Sequence, residues 1–204
     1  MRQLLCYGDS NTWGLIPGTK ERYPWGVRWT SILQEKLQVK NVRVIEEGLC
    51  GRTTIFDDAY RQNRNGLKSL PLILETHNPI DTVVIMLGTN DCKAYFNLNA
   101  YQIAKGMEQC IDMLLSVVPP DRILLISPIH LGENVWKQEY DPEFNQKSVE
   151  VSKQLCNEYK KLSEKKKIHI IAASDYAHPS KKDQEHMDER GHASLAEAVY
   201  ELLY

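Results

Sequence analysis

Four groups of residues in this chain have the types that acyl-transfer chemistry requires. Gly8-Asp9-Ser10 follows the first apolar run, and its serine hydroxyl is a candidate nucleophile. Much later, Asp183 and His186 are spaced so that the histidine could take the serine proton while the aspartate orients the imidazole. The N–H of Gly51 and the side-chain amide of Asn90 could donate to a developing oxyanion. Each group alone is weak evidence, because a serine leaving a strand is usually a turn residue, but their joint occurrence predicts a hydrolytic site.

Two other pairs of aspartate and histidine compete for the role of base. Asp188 and His192 lie close together in the sequence, but Asp188 is well placed to cap the last predicted helix. The stretch Asp175–His178 has the same spacing as the favoured pair, but it follows the fifth apolar run immediately. We therefore favour Asp183 and His186 as the acid and base.

Two further residues near these groups are candidates for substrate binding. Cys50 precedes Gly51 and could also act as a nucleophile, which would need a lowered pKa and a base within reach. A small packing residue is the commoner use of such a cysteine. Trp13 lies three positions after the serine and could line an acyl or aromatic pocket, although aromatics beside strand ends are more often packing residues.

The elements that must position these residues alternate along the chain. Short, almost continuous apolar runs, typical of strands buried on both faces, are Leu4–Tyr7, Val42–Ile45, Thr82–Leu87, Ile123–Ile126 and Ile168–Ala172. Between them the periodicity predicts helices at Val27–Leu37, Gly66–His77, Ala100–Val118, Pro142–Lys166 and Arg190–Leu203. This alternation predicts an α/β fold with a five-stranded parallel sheet between helices.

The candidate residues follow the carboxyl ends of the predicted strands, and this is the edge where open parallel sheets form their sites. No composition shift or linker divides the chain, so we predict one domain over residues 1–204. The longest irregular stretch, Pro128–Asp141, follows the fourth predicted strand, and loops of that length are often functional. Asp141-Pro142-Glu143 has the form of an N-cap, a proline at the first helical position and an early acid, so we predict that the next helix begins there.

Composition excludes several classes of function. The 204 residues carry a formal net charge of −2, so we expect no nucleic-acid partner. The five cysteines form no CxxC pair, and therefore indicate neither a disulfide framework nor a metal site. No apolar stretch is long enough for a secretory signal or a membrane span, so we expect a reduced, cytoplasmic protein without a membrane partner.

The four groups together resemble the blocks of the SGNH hydrolases, the GDSL-type esterases and lipases, over essentially the whole chain. The resemblance implies a three-layer α/β/α sandwich with a flavodoxin-like arrangement. It implies Ser10 as nucleophile, His186 as base and Asp183 as its partner. It also implies an oxyanion hole formed by the N–H groups of Ser10 and Gly51 and the amide of Asn90.

A closer resemblance is to the arylesterase and acyltransferase subgroup, whose members form homo-oligomers. The stretches that carry it are Glu47–Thr54, Arg64–Gly66 and Met86–Phe96. The chain departs from the family pattern at Asn11, where leucine is usual, and at Cys50, where serine is commoner. It departs again at Gln184-Glu185, where glycine often follows the aspartate. Glu185 also adds a negative charge beside the proposed base, which favours imidazolium.

These observations predict a serine esterase that hydrolyses short-chain acetyl or aryl esters, with acyl transfer to alcohols as a second outcome. The expected partner is a small ester substrate, and the chemistry requires no cofactor and no metal. A carbohydrate O-deacetylase with the same residues is an alternative. A non-catalytic carbohydrate- or acyl-binding domain is a second alternative, because a fold does not fix a function.

Overall fold

Five strands form one parallel sheet in the computed structural model, which describes residues 1–204. The strands are β1 (Arg2–Gly8), β2 (Val42–Gly48), β3 (Thr82–Met86), β4 (Ile123–Ser127) and β5 (His169–Ala172). Their order in the sheet is β2-β1-β3-β4-β5, and every neighbouring pair is parallel. Every predicted strand is present, and the order is the flavodoxin-like one with its switch point at β1.

Six helices connect the strands. They are α1 (Ser10–Trp13), α2 (Trp29–Leu37), α3 (Gly66–Thr76), α4 (Ala100–Leu115), α5 (Gln146–Lys166) and α6 (Glu189–Leu203). Short 3₁₀ turns occur at Gln38–Lys40, Asn90–Cys92, Ala94–Phe96, Pro120–Arg122 and Ala173–Asp175. None of the helices combines the length and the apolar character that crossing a membrane requires.

The helices cover both faces of the sheet, which confirms the predicted three layers. Side chains of a strand alternate between faces, and β1 shows this clearly. Leu5 and Tyr7 pack with α3, α4 and α5, whereas Leu4 and Cys6 pack with α2 and α6. Two apolar clusters therefore hold β1 rigidly from both sides, and its carboxyl end is a firm support for the residues that follow.

The predicted start of α5 is wrong. Asp141 and Pro142 do not begin the helix; the Asp141 carboxylate instead accepts the N–H of Glu143 at 2.9 Å in a turn. The helix begins at Gln146, after Asn145, which forms a capping box with Ser148. Asn145 and Ser148 satisfy each other's backbone N–H groups at 2.9 and 3.1 Å, a reciprocal arrangement that Asp141 does not form. Residues 128–145 are consequently one long connection without an α-helix.

Candidate active site

The candidate nucleophile stands directly beyond the central strand. Asp9 caps α1 by accepting the N–H of Asn11 at 3.0 Å, and Ser10 is the first residue of that short helix. Gly8 allows the chain to turn tightly here, because a Cβ at this position would lie 2.1 Å from Oγ1 of Thr12. The serine hydroxyl is thereby presented at the rim of the sheet by a rigid strand-to-helix turn.

Ser10, His186 and Asp183 form a continuous hydrogen-bonded chain. Ser10 Oγ lies 2.8 Å from His186 Nε2, and His186 Nδ1 lies 2.9 Å from Asp183 Oδ2. The three residues predicted from the sequence are therefore together, in the order that a nucleophile, its base and an orienting acid require.

Asp183 is held by backbone N–H groups from two parts of the chain. Its Oδ1 accepts the N–H groups of Glu185 and His186 at 3.1 and 3.0 Å, and its Oδ2 accepts that of Gly18 at 2.9 Å. Burial alone would raise the pKa of Asp183, but its hydrogen bonds and the neighbouring His186 lower it below the usual value. The carboxylate is therefore ionised and fixed in orientation toward the imidazole.

The turn between the acid and the base contains no glycine, although glycine is usual there. Gln184 takes its place with φ of 64°, in the left-handed region. Its carbonyl accepts the N–H of Gly132 at 2.7 Å, and its own N–H donates to the Ser180 carbonyl at 2.8 Å. These bonds hold the turn, so the departure from the family pattern does not disturb the position of His186.

Glu185 brings a second carboxylate close to the imidazole. Its Oε1 lies 3.7 Å from His186 Nε2, the nitrogen that contacts Ser10. Burial alone would lower the pKa of His186, but the carboxylates of Glu185 and Asp183 outweigh it and raise the pKa to about 9. The negative neighbours thus stabilise the imidazolium that forms when the base takes a proton.

The candidate oxyanion donors lie on two neighbouring loops. Gly51 has φ of 85°, lies outside the helices and strands, and its N–H has no acceptor in the protein. Asn90 lies in the 3₁₀ turn after β3, and its Nδ2 donates to the Arg52 carbonyl at 3.2 Å, which leaves its second hydrogen free. Both residues line the same cleft as Ser10. Free donors in such a cleft are what the stabilisation of a tetrahedral oxyanion requires.

The loop that carries Asn90 is supported by a buried carboxylate. Asp91 accepts the N–H of Thr54 at 3.0 Å and its hydroxyl at 2.5 Å. Burial nevertheless raises the pKa of Asp91 to about 6. These bonds tie the loop after β3 to the loop after β2, and so they set the distance between the two candidate oxyanion donors.

The alternative bases lie elsewhere. Asp188 caps α6 by accepting the N–H of Gly191 at 2.9 Å, as predicted. His192 is fully buried, accepts the N–H of Trp29 at 3.3 Å, and burial lowers its pKa to about 4. His178 is exposed and lies outside the cleft that contains Ser10.

Cys50 and Trp13 differ in their relation to the cleft. Cys50 lines it, half-buried, and burial raises the pKa of its thiol, which disfavours the reactive thiolate. Trp13 is not among the residues that line it, and its pocket role stays a prediction. The guanidinium of Arg22 lies 5.5 Å from the centre of the ring of Trp13, the last residue of α1.

The cleft around Ser10 has a volume of about 460 Å³, and most of the residues that line it have polar or charged side chains. The residues that line it, besides those already described, are Leu15, Gly18, Thr19, Lys20, Arg61, Lys93, Tyr140, Asp141 and Glu143. The last three come from the long connection before α5, which the sequence indicated as functional without indicating these residues. Lys93, nearly buried, pairs with Glu143 at 2.5 Å and ties this connection to the loop after β3.

Comparisons with known proteins identify the family of the chain. Residues 6–196 match the model of the GDSL-like lipase/acylhydrolase family. An aryl esterase from M. smegmatis is 33% identical with a TM-score of 0.89, and the match covers 100% of both chains. A carbohydrate acetylesterase from Sinorhizobium meliloti is 36% identical with a TM-score of 0.86, over 99% of this chain and 100% of the other.

A lipase/acylhydrolase from Enterococcus faecalis shares the fold at 20% identity, with a TM-score of 0.70 over 98% of this chain and 94% of the other. A comparison with curated proteins returned no significant match. The family match over most of the chain, the two relatives above 30% identity and the five-stranded parallel sheet lead to one conclusion. The chain belongs to the GDSL-like lipase/acylhydrolase family and is a carboxylic ester hydrolase.

Proposed function

We propose that the protein is a serine esterase for short-chain carboxylic esters, in which Ser10, His186 and Asp183 are the catalytic residues. The observation that carries the proposal is the continuous hydrogen-bonded chain, at 2.8 and 2.9 Å, beside two free donors in one cleft. A nucleophile, an oriented base and oxyanion donors are the parts that ester hydrolysis needs.

The reaction begins when Ser10 Oγ attacks the ester carbonyl carbon and His186 Nε2 takes the hydroxyl proton. The carbonyl oxygen becomes an oxyanion, to which the Gly51 N–H and the Asn90 amide donate, together with the Ser10 N–H that the family pattern adds. The C–O bond to the alcohol then breaks, and His186 gives its proton to the leaving oxygen. Water attacks the acyl-serine by the same steps and releases the acid; a second alcohol in place of water gives acyl transfer.

Hydrolysis of p-nitrophenyl acetate by wild type, Ser10→Ala and His186→Ala tests this proposal. We expect each variant to lose about 10³-fold or more of kcat. His178→Ala is the matched control, since it removes an exposed histidine outside the cleft and should keep full activity. Activity that survives Ser10→Ala would overturn the assignment and direct attention to the Cys50 thiol.

An acetylated carbohydrate is a second candidate substrate class, and the polar cleft favours it. Most groups that line the cleft are charged or can form hydrogen bonds, which suits a hydroxyl-rich alcohol better than an aromatic one. The Sinorhizobium meliloti relative, which its description calls a carbohydrate acetylesterase, supports the same inference. Acetate release from partially acetylated monosaccharides, compared with phenyl acetate, distinguishes the two classes by kcat/KM.

We infer that the protein forms a homo-oligomer, because its closer sequence resemblance is to a subgroup with this property. Large apolar side chains are exposed at Trp25, Tyr60 and Tyr95, which are available for contact with a second copy. Light scattering coupled to gel filtration tests this inference, and a mass of 23.5 kDa at micromolar concentration would contradict it.

We also infer a reducing, cytoplasmic compartment. All five cysteines are free thiols, and such thiols persist where disulfides do not form. Cell fractionation with an antibody tests this location.

A further inference from the structure

Glu185 differs from every other carboxylate that lines the cleft. The cleft has four: Asp141 accepts a backbone N–H, Glu143 pairs with Lys93, and Asp183 holds the imidazole. The side chain of Glu185 receives no hydrogen bond from the protein, although only 10% of it is exposed. Its one charged contact is His186 Nε2 at 3.7 Å, and its oxygens keep access to the cleft, so a bound molecule can supply the hydrogen-bond donor that the protein does not.

The backbone of Glu185 is hydrogen-bonded on both sides, and its side chain lines the cleft. Its N–H donates to Asp183 Oδ1 at 3.1 Å, and its carbonyl lies 3.5 Å from Nδ2 of Asn11. The next N–H along the chain, that of His186, also donates to Asp183, at 3.0 Å. These contacts use the main-chain groups around Glu185 and leave the carboxylate facing the cleft.

The position of this carboxylate brings it near the alcohol part of the ester substrate. His186 Nε2 must come within hydrogen-bond reach of the ester oxygen in order to protonate the leaving alcohol. Glu185 Oε1 lies 3.7 Å from that same nitrogen. A group at this distance from Nε2 can therefore reach the first carbons of the alcohol as it leaves.

We propose that Glu185 is a specificity-determining residue that accepts a hydrogen bond from a hydroxyl on the carbon next to the one that bears the ester oxygen. The preferred substrates are then monoesters of vicinal diols, as in partially acetylated polyols and sugars. This inference rests on the proposed esterase function and deepens it by naming the alcohol.

Chemistry other than ester hydrolysis is not needed. The neighbouring hydroxyl keeps its own proton and donates it as a hydrogen bond to the carboxylate, while His186 protonates the leaving oxygen. Water is the second reactant, so a monoacetate and water give a diol and acetic acid. The hydrogen bond to an ionised acceptor is among the stronger kinds.

Three acetates that differ at one position test the proposal: 2-hydroxyethyl acetate, 2-methoxyethyl acetate and ethyl acetate. Only the first has a hydroxyl donor on the second carbon of the alcohol; the second keeps that oxygen but carries a methyl group in place of its hydrogen. We expect wild type to favour the hydroxyethyl ester over the methoxyethyl ester by about tenfold or more in kcat/KM, the factor that one hydrogen bond to a charged acceptor provides.

Variants then assign that preference to Glu185. In Glu185→Leu the ratio should fall to about one, and in Glu185→Gln, which keeps an acceptor of the same shape, it should fall only in part. Glu143→Gln removes another negative charge from the same cleft, and it should leave the ratio unchanged because Glu143 pairs with Lys93. Circular dichroism and thermal unfolding establish that each variant is folded.

Two contrary results are distinguishable. Hydrolysis of all three acetates with an unchanged ratio in both Glu185 variants would overturn the role of Glu185 and leave the esterase intact. If wild type hydrolyses none of the three acetates and no p-nitrophenyl acetate, the proposed function itself fails and this inference fails with it.

Discussion

Glu185 Oε1 lies 3.7 Å from Nε2 of His186, so the base faces carboxylates at both of its ring nitrogens. This relationship predicts an alkaline pH profile. His186 must be neutral to take the serine proton, and its pKa is raised to about 9, so activity should increase with pH through that region.

Removal of the second carboxylate should move this profile toward lower pH. Glu185→Gln deletes a negative charge that favours imidazolium, so the apparent pKa of kcat/KM should fall. The measurement is the pH dependence of kcat/KM with ethyl acetate, which has no hydroxyl for Glu185 to bind. An unshifted profile in Glu185→Gln would mean that Asp183 alone sets the protonation of the base.

The orienting role of Asp183 predicts a large loss of kcat in Asp183→Asn. An amide at this position has a donor as well as an acceptor, so it no longer selects the imidazole tautomer that accepts the serine proton, and we expect a loss of about 10⁴-fold. Asp188→Ala is the control, because it removes the cap of α6 and should cost about 1 kcal/mol of stability while activity remains. Steady-state kinetics and thermal unfolding separate the two effects; similar kinetic losses in both variants would contradict the assignment.

The free hydrogen of the Asn90 amide predicts a loss that is confined to the transition state. Asn90→Ala should lower kcat by about 10²–10³-fold, with little change in KM, because the oxyanion forms only after the substrate is bound. Asp91, the adjacent residue, should not be substituted in this experiment, because its hydrogen bonds from Thr54 hold the loop that carries Asn90. A change in KM alone would assign Asn90 to ground-state binding instead.

The left-handed conformation of Gln184 predicts a stabilising substitution. Gln184→Gly should raise the free energy of unfolding by up to about 1 kcal/mol, because glycine adopts φ of 64° without steric cost. Gln154→Gly provides the matched comparison, since this exposed residue lies inside α5, and the substitution there should destabilise by about 1 kcal/mol. Urea unfolding of both variants measures the difference, and destabilisation by both would show that the Gln184 side chain contributes more than its conformation costs.

The sequence was sufficient to predict the sheet and the chain of Ser10, His186 and Asp183 that the structure brings together. Parallel strands bring their carboxyl ends to one edge, so Ser10 and Asn90 had to lie near each other once β1 and β3 were recognised. The spacing of Asp183 and His186 indicated a pair, and the helix-capping position of Asp188 separated it from its nearest rival.

Other features depended on packing that local patterns do not contain. Asp141 and Asn145 are both good helix caps, and only the reciprocal bonds with Ser148 decide between them. The contact between Arg22 and the Trp13 ring joins two residues that no spacing rule connects. The sequence showed a glutamate beside the base, but it did not show whether the side chain of Glu185 faced solvent or the cleft.

The Ser10–His186 contact joins residues 176 positions apart, which has a consequence for the order of folding. The central strand carries the nucleophile, whereas the base arrives on a segment that belongs to no strand or helix. Contacts between distant parts of a chain form late, since closing long loops is entropically costly. In a refolding experiment the regain of catalysis should therefore lag behind the regain of secondary structure. The rate at which activity returns would then report when the segment that carries His186 docks against Ser10.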